Sequence, residues 1–242
     1  VLVSIMLANN ETGVIQPIAE LARIAHEYGA LFHCDAVQAP GRIPLHMADL
    51  GVDMMTLSAH KIGGPKGIGA LFLAPGVEFA SILNGGGQER GRRGGTENVP
   101  AIAGFGVAAS HVNEMLNNVG HIARLRDGME QTILEHVPEV VMHGHNAPRL
   151  VNTSLFGVEG VSAETQVIAL DLSGIAISSG SACSSGKVAP SHVLRAMGLS
   201  ESMSASSVRV SIGVETKEEE IARFIDAWVS ILKMIKRQVD AA

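Results

Sequence analysis

The mostly apolar segment Val52-Asp53-Met54-Met55-Thr56-Leu57 predicts a buried strand. It runs straight into Ser58-Ala59-His60-Lys61-Ile62-Gly63-Gly64-Pro65-Lys66-Gly67. The glycines and Pro65 forbid a regular element there, so the strand must end in a tight loop. That pairing restricts the chain to folds that present loops at the carboxyl edge of a sheet, the edge at which open α/β folds hold their ligands. The neighbouring residues agree. Pro17 opens a helical pattern to about Tyr28, with Ile18, Leu21, Ala22 and Ala25 on one face and Gly29 as its stop. Ala30 to Cys34 predicts a short strand that delivers Asp35, Val37 and Gln38 at its end, and Ile68 to Leu73 predicts a strand returning from the lysine loop. Strand, helix, strand and strand in this order predict an α/β layer with a mostly parallel sheet.

Residues 85–98, GGGQERGRRGGTEN, form a loop whose glycine amides and arginines can turn toward an anion. Helical patterns follow from Pro100 to about Asn117 and from about Gly120 to His136. The later half alternates differently. Strands are expected at Val140 to His143, Leu150 to Phe156, Ile175 to Ser178 and Val208 to Ile212. Helices are expected at Ser162 to Leu172, after Pro190, and from a capping box at Thr216 and Glu219 to about Gln238. The expected organisation is part of a large α/β domain over 1–117 and a small α+β domain over 118–242, which carries the Cys183 loop.

Composition narrows the function. A formal charge of -6 without a basic run argues against a nucleic-acid surface. The longest apolar stretches are broken well short of a membrane span. Two distant cysteines, Cys34 and Cys183, imply neither a disulfide framework nor a zinc site, and free thiols suit a reducing cytosol. The chain opens in the interior-strand pattern Val1 to Leu7 with no initiator Met, which is expected of a piece of something longer.

A lone loop lysine is ordinarily a solvated side chain. Lys61 has Ser58 and His60 beside it and Asp35 and Gln38 one strand earlier, a set able to hold an anion and a ring cation. Those groups suit a Schiff base to pyridoxal phosphate. Asp35 is the carboxylate that keeps a pyridine nitrogen protonated, although a strand-end turn cap is the plainer reading of an isolated Asp. Asn10 and Gln38, at two strand ends, suit the ring's phenolic oxygen or are ordinary turn polarity. Ser58, His60 and Thr96 are phosphate donors. Cys183 lies in Ser178-Ser179-Gly180-Ser181-Ala182-Cys183-Ser184-Ser185-Gly186, with Ala182 as its one apolar neighbour, and reads as a nucleophilic thiol. Cys34 sits in an apolar strand and reads as core. Arg209 can fork to a substrate carboxylate or form a structural ion pair.

These residues carry a resemblance. NNETG at 9–13, HCDAVQ at 33–38, SAHKIGGPKG at 58–67, GGGQERGRRGGTEN at 85–98, SSGSACSSG at 178–186 and VRVSIG at 208–213 resemble the NifS/IscS-type cysteine desulfurases, which are fold-type I pyridoxal phosphate enzymes. The resemblance implies the large domain of that fold, lacking its N-terminal portion, plus a smaller C-terminal domain. It implies that Lys61 binds the cofactor, Asp35 pairs with its ring nitrogen, Asn10 and Gln38 flank its phenolic oxygen, and Ser58 and His60 hold its phosphate. Thr96 is implied to reach the phosphate from the partner subunit of a homodimer. Arg209, with Asn10, is implied to bind L-cysteine, and Cys183 to take its sulfur as a persulfide for an iron–sulfur scaffold or another acceptor. A selenocysteine lyase, another class V pyridoxal enzyme such as an aminotransferase, and an inactive truncated chain that only binds or dimerises are the alternatives. The 242-residue chain alone is expected to show almost no cofactor absorbance unless the missing segment is supplied.

Overall fold

The computed structural model describes residues 1–180 and 191–240, without the side chains of 236–240. The chain divides into two compact units. One comprises Val1–Ala8 with Gln16–Asn117, and the other Asn9–Ile15 with Asn118–Ala242. The polar turn after the first strand therefore groups with the later half of the chain.

In the first unit, β1 (Leu2–Met6), β2 (Leu31–Asp35), β3 (Met54–Ser58) and β4 (Gly69–Leu73) form one sheet in that order. The first three strands are parallel, and β4 returns antiparallel to β3. Side chains alternate across a strand, and the register places Met6, Asp35 and Thr56 level with one another. Asp35, Thr56 and Ser58 therefore share a face. Phe32 and Cys34 point the other way and are fully buried. Against β2 packs α1 (Ile18–Glu27), whose buried stripe is Ile18, Ala22 and Ala25, the apolar face that its spacing predicts. His26, near the end of α1, bonds the Asp53 carboxylate at 2.8 Å, and the Phe32 amide donates to the same oxygen at 2.7 Å. Burial works against the charge on Asp53, but these two bonds hold its carboxyl below the usual range.

A single turn, α2 (Met47–Leu50), precedes β3, and another, α3 (Gln88–Gly91), lies in the glycine-rich loop. Next come α4 (Val99–Ser110) and α5 (Val112–Asn117). The side chain of Asn98 caps α4 by accepting from the Ala101 amide, with Pro100 in the first turn where no N–H is needed.

The second unit contains α6 (Val119–His136), β5 (Val141–Met142), β6 (Thr153–Gly157), α7 (Ala163–Leu172) and β7 (Ser178–Ser179). It continues with α8 (His192–Ala196), α9 (Glu201–Ser206), β8 (Ser207–Ser211) and α10 (Glu218–Asp240). Its sheet is antiparallel in the order β5-β6-β8-β7. The core joins α6, α7 and α10 to β6 and β8 around Trp228, whose ring meets Phe156 edge-on at 5.1 Å. The indole N–H donates to Gln166, and the Gln166 amide donates to the carbonyls of Val161 and Ser206. A fully buried glutamine is tolerated because each of its polar atoms has a partner.

Three expectations are corrected. The strand expected over Ile175 to Ser178 lies at Ser178–Ser179, where the ladder to β8 begins. The helix α9 was unanticipated, since serine-rich composition reads as loop, but Ser200 caps it by accepting from the Met203 amide. The expected capping box at Thr216 and Glu219 is also displaced. Thr216 accepts from the Gly213 amide, and it is Glu220 that reaches back to the Lys217 amide.

Candidate active site

Directly after β3, Ala59–Ile62 form one 3-10 turn, with Ala59 and Ile62 buried, Lys61 half-buried and His60 exposed. The two buried apolar residues hold the turn against the unit. Gly63 closes it at φ 82, a left-handed conformation that favours glycine. Gly64 is needed for a different reason. A Cβ there would meet the Ala59 Cβ at 3.0 Å, the Ala59 carbonyl at 3.1 Å and the Ala108 Cβ of α4 at 3.2 Å. The helix thus presses directly on the lysine turn. Ser58 Oγ and His60 Nδ1 are hydrogen-bonded at 2.7 Å, a hydroxyl and an imidazole side by side at the mouth of the turn.

At the end of β2, Asp35 Oδ1 accepts from the Val37 amide at 3.1 Å. This turn-capping bond engages one carboxylate oxygen of a half-buried side chain. The chain then bends through Gln38 to Arg42. The Arg42 guanidinium donates to the Gln38 carbonyl at 2.7 Å and to the Lys61 carbonyl at 3.2 Å. One side chain therefore ties the loop carrying Gln38 to the turn carrying Lys61. Arg42 was not among the expected site residues. The available signal was a long donor four residues beyond Gln38, placed by the Pro40-Gly41 turn.

In the second unit, residues 9–13 fold around Asn9, whose side-chain oxygen accepts from the amides of Glu11 and Thr12 at 2.9 and 3.0 Å. Arg209, on β8, donates through Nη1 to the Asn10 carbonyl at 2.8 Å, and Ser178 of β7 sits opposite it in register. At this nitrogen Arg209 bonds backbone. Glu11 was not anticipated. It is buried and accepts from the hydroxyl of Ser191, which also caps α8 through the Leu194 amide. Cys183 lies outside the described residues.

The loop at 85–98 departs in part from expectation. Arg93 bonds its own loop, pairing with Glu89 at 2.7 Å and donating to the Gly95 carbonyl at 2.8 Å, while Glu89 and Arg90 take left-handed φ of 48 and 60. Thr96 is exposed on the same loop. Cys34 is core as expected. Burial, then the neighbouring Asp35, push its thiol up to about 11 against a backbone bond at Leu7. An apolar cavity of about 570 Å³, lined among others by Leu45, Met55, Phe72 and Phe105, includes none of the expected site residues.

The donor set around the lysine turn suits pyridoxal phosphate. It comprises an amine in a fixed turn, a carboxylate on the neighbouring strand end, an amide on the loop tied to that turn, and a hydroxyl–imidazole pair for a phosphate. Comparison with known proteins points the same way. The aminotransferase class-V family model matches residues 1–224. A cysteine desulfurase of Klebsiella pneumoniae is 47% identical over 220 residues, covering 91% of this chain and 55% of its own length. One from a Nostoc species is 47% identical over 239 residues, covering 97% and 59%. The chain thus spans somewhat over half the length of the curated relatives it matches. A solved NifS-like protein from Rickettsia africae superposes with a TM-score of 0.86 at 40% identity, over 96% of this chain and 62% of that one. SspA, solved in complex with cysteine, gives 0.68 at 32% identity over 89% and 60%. A lysine turn on a mixed sheet, the match over residues 1–224 and these relatives together establish that the chain belongs to the aminotransferase class-V family, with the fold of its NifS-like members.

Proposed function

We propose that this chain carries the reacting groups of a pyridoxal phosphate-dependent cysteine desulfurase. The observation that carries the reading is the shared guanidinium of Arg42, which fixes the Lys61 turn to the Gln38 loop just beyond Asp35. The name shared by the two curated relatives supports it.

When bound, pyridoxal phosphate supplies an electron sink that makes the substrate's Cα proton acidic. The Lys61 amine would hold the cofactor's aldehyde carbon and, as a free base, would move the substrate's Cα proton. The Asp35 carboxylate favours a protonated ring nitrogen by opposite charge. Gln38 and Asn10 donate toward the phenolic oxygen, and Ser58 and His60 toward the phosphate. Thr96 of the partner subunit in a homodimer is the remaining phosphate donor. Arg209, with Asn10, holds the carboxylate of L-cysteine. The Cys183 thiolate attacks the substrate sulfur, so the carbon–sulfur bond breaks, a sulfur–sulfur bond forms, and alanine leaves with the proton returned to carbon. Cysteine and one thiol thus give alanine and one persulfide, with atoms and electrons balanced and no outside oxidant. The persulfide sulfur then passes to an iron–sulfur scaffold or another acceptor in a reducing cytosol. Among the described residues no helix is long and apolar enough to cross a membrane.

The test uses the full-length protein with cofactor and L-cysteine, following alanine by chromatography and Cys183 by mass spectrometry. Equal amounts of alanine and added sulfur are expected, with Cys183→Ala losing both while keeping cofactor absorbance. Undiminished turnover in Cys183→Ala would point to an aminotransferase-like reaction instead.

A further inference from the structure

We propose that Arg42 is a positioning residue for the cofactor-bearing lysine, setting Lys61 and Gln38 at a fixed separation by bonding both of their carbonyls. The inference rests on the reading of Lys61 and Gln38 given above.

The geometry makes the case. The Lys61 carbonyl lies at the end of a four-residue 3-10 turn, where carbonyls lack a partner within the helix. The amides of Gly63 and Gly64 both go to Ala59, so neither serves Lys61. Arg42 fills that need at 3.2 Å, and its other terminal nitrogen reaches the Gln38 carbonyl at 2.7 Å. Gln38 and Lys61 are on loops that follow two different strands, so this guanidinium links segments 19 residues apart, counted from Arg42 to Lys61. Its own backbone is fixed as well. The Arg42 amide bonds the Ala39 carbonyl at 3.0 Å, and Gly41 beside it takes φ 74, where a Cβ would strike Met115 Sδ at 2.8 Å. Among the described residues Arg42 makes no ion pair with a carboxylate. A partly buried cation spent on two backbone carbonyls is well placed to set geometry, since a planar fork fixes both distance and angle. Lysine cannot substitute fully, because an ammonium is a point donor without that fork.

The experiment uses full-length protein carrying pyridoxal phosphate and compares Arg42→Met and Arg42→Lys with the unsubstituted enzyme. Four quantities are read: the midpoint of the pH titration of the bound cofactor's visible absorbance, the rate of borohydride fixation at Lys61, and kcat and KM for cysteine. Arg42→Met is expected to move the titration midpoint and to slow fixation. It should lower kcat by roughly 10- to 100-fold with a much smaller change in KM, as misplacement by about an ångström does. Arg42→Lys should recover part of each. If the Met variant fails to fold, the Lys variant decides alone. Midpoint, fixation rate and kcat equal to the unsubstituted enzyme in a folded variant would overturn the proposal. Lys61→Ala separates the two readings. If it still fixes cofactor as well as the unsubstituted enzyme, the proposed function fails. If it loses fixation while the Arg42 variants remain unchanged, only the positioning role fails.

Discussion

His143 offers a quantitative test of the second unit's core. The ring follows β5 and is buried, with its Nε2 bonded to Ser207 Oγ at 2.8 Å. The Ser207 hydroxyl in turn donates to the Met203 carbonyl, so the ring supplies the proton in the first bond. Burial disfavours the imidazolium and lowers the pKa from 6.5 to about 4. Between these values the unfolded chain binds a proton that the folded chain refuses, so stability must fall as pH falls through this window. At about 1.36 kcal/mol per pH unit the full interval amounts to about 3 kcal/mol, of which about 2 kcal/mol is lost by pH 5. Urea melts at a series of pH values read this as a midpoint lower by about 1 M at pH 5 than at pH 7. Glu130 adds an acid-labile contribution at lower pH. Burial opposes its charge, but Arg149 and Ser154 hold its carboxyl below 4.5, so its stabilisation is present above that value and fades below it. His143→Gln separates the two by flattening the profile from pH 6.5 to 4.5 while leaving the steeper loss below. Parallel profiles for the variant and the unsubstituted chain across that upper window would show that His143 does not set this pH dependence.

Other expectations follow from the same contacts. Arg149→Met strands the buried Glu130 carboxylate that it grips through two bonds of 2.9 and 2.8 Å, and should cost about 3–5 kcal/mol in denaturant melts, with Glu130→Leu added in the same chain recovering much of it. Iodoacetamide at pH 8 should leave Cys34 unmodified in the folded protein, since its thiol is buried and pushed up to about 11, and should label it once urea unfolds the chain. Gly64→Ala should destabilise by about 1–3 kcal/mol through its contact with Ala108, and cofactor uptake by the full-length protein should fall with it.

Strands and long helices were legible because their signals are local. The Ile18, Ala22 and Ala25 stripe and the glycine-closed lysine loop need only near neighbours in sequence. The places of Asp35 and Ser58 at strand ends, and of Lys61 in the turn after the second, were legible for the same reason. What the sequence hid depends on distant partners. Arg42 meets Lys61 across 19 positions and Glu11 meets Ser191 across 180, and neither residue type marks its own partner. Arg93 shows the converse. An arginine in a glycine-rich loop reads as a ligand contact, yet a glutamate four residues earlier and the loop's own carbonyls claim it.

Lys61, and no other amine, is expected to bond the cofactor. Full-length protein incubated with pyridoxal phosphate, reduced with borohydride and digested gives a direct reading by peptide mass. One reduced adduct per chain is expected, on the peptide bearing Lys61, and none in Lys61→Ala. An adduct of equal yield on Lys66, or one that persists in Lys61→Ala, would contradict it.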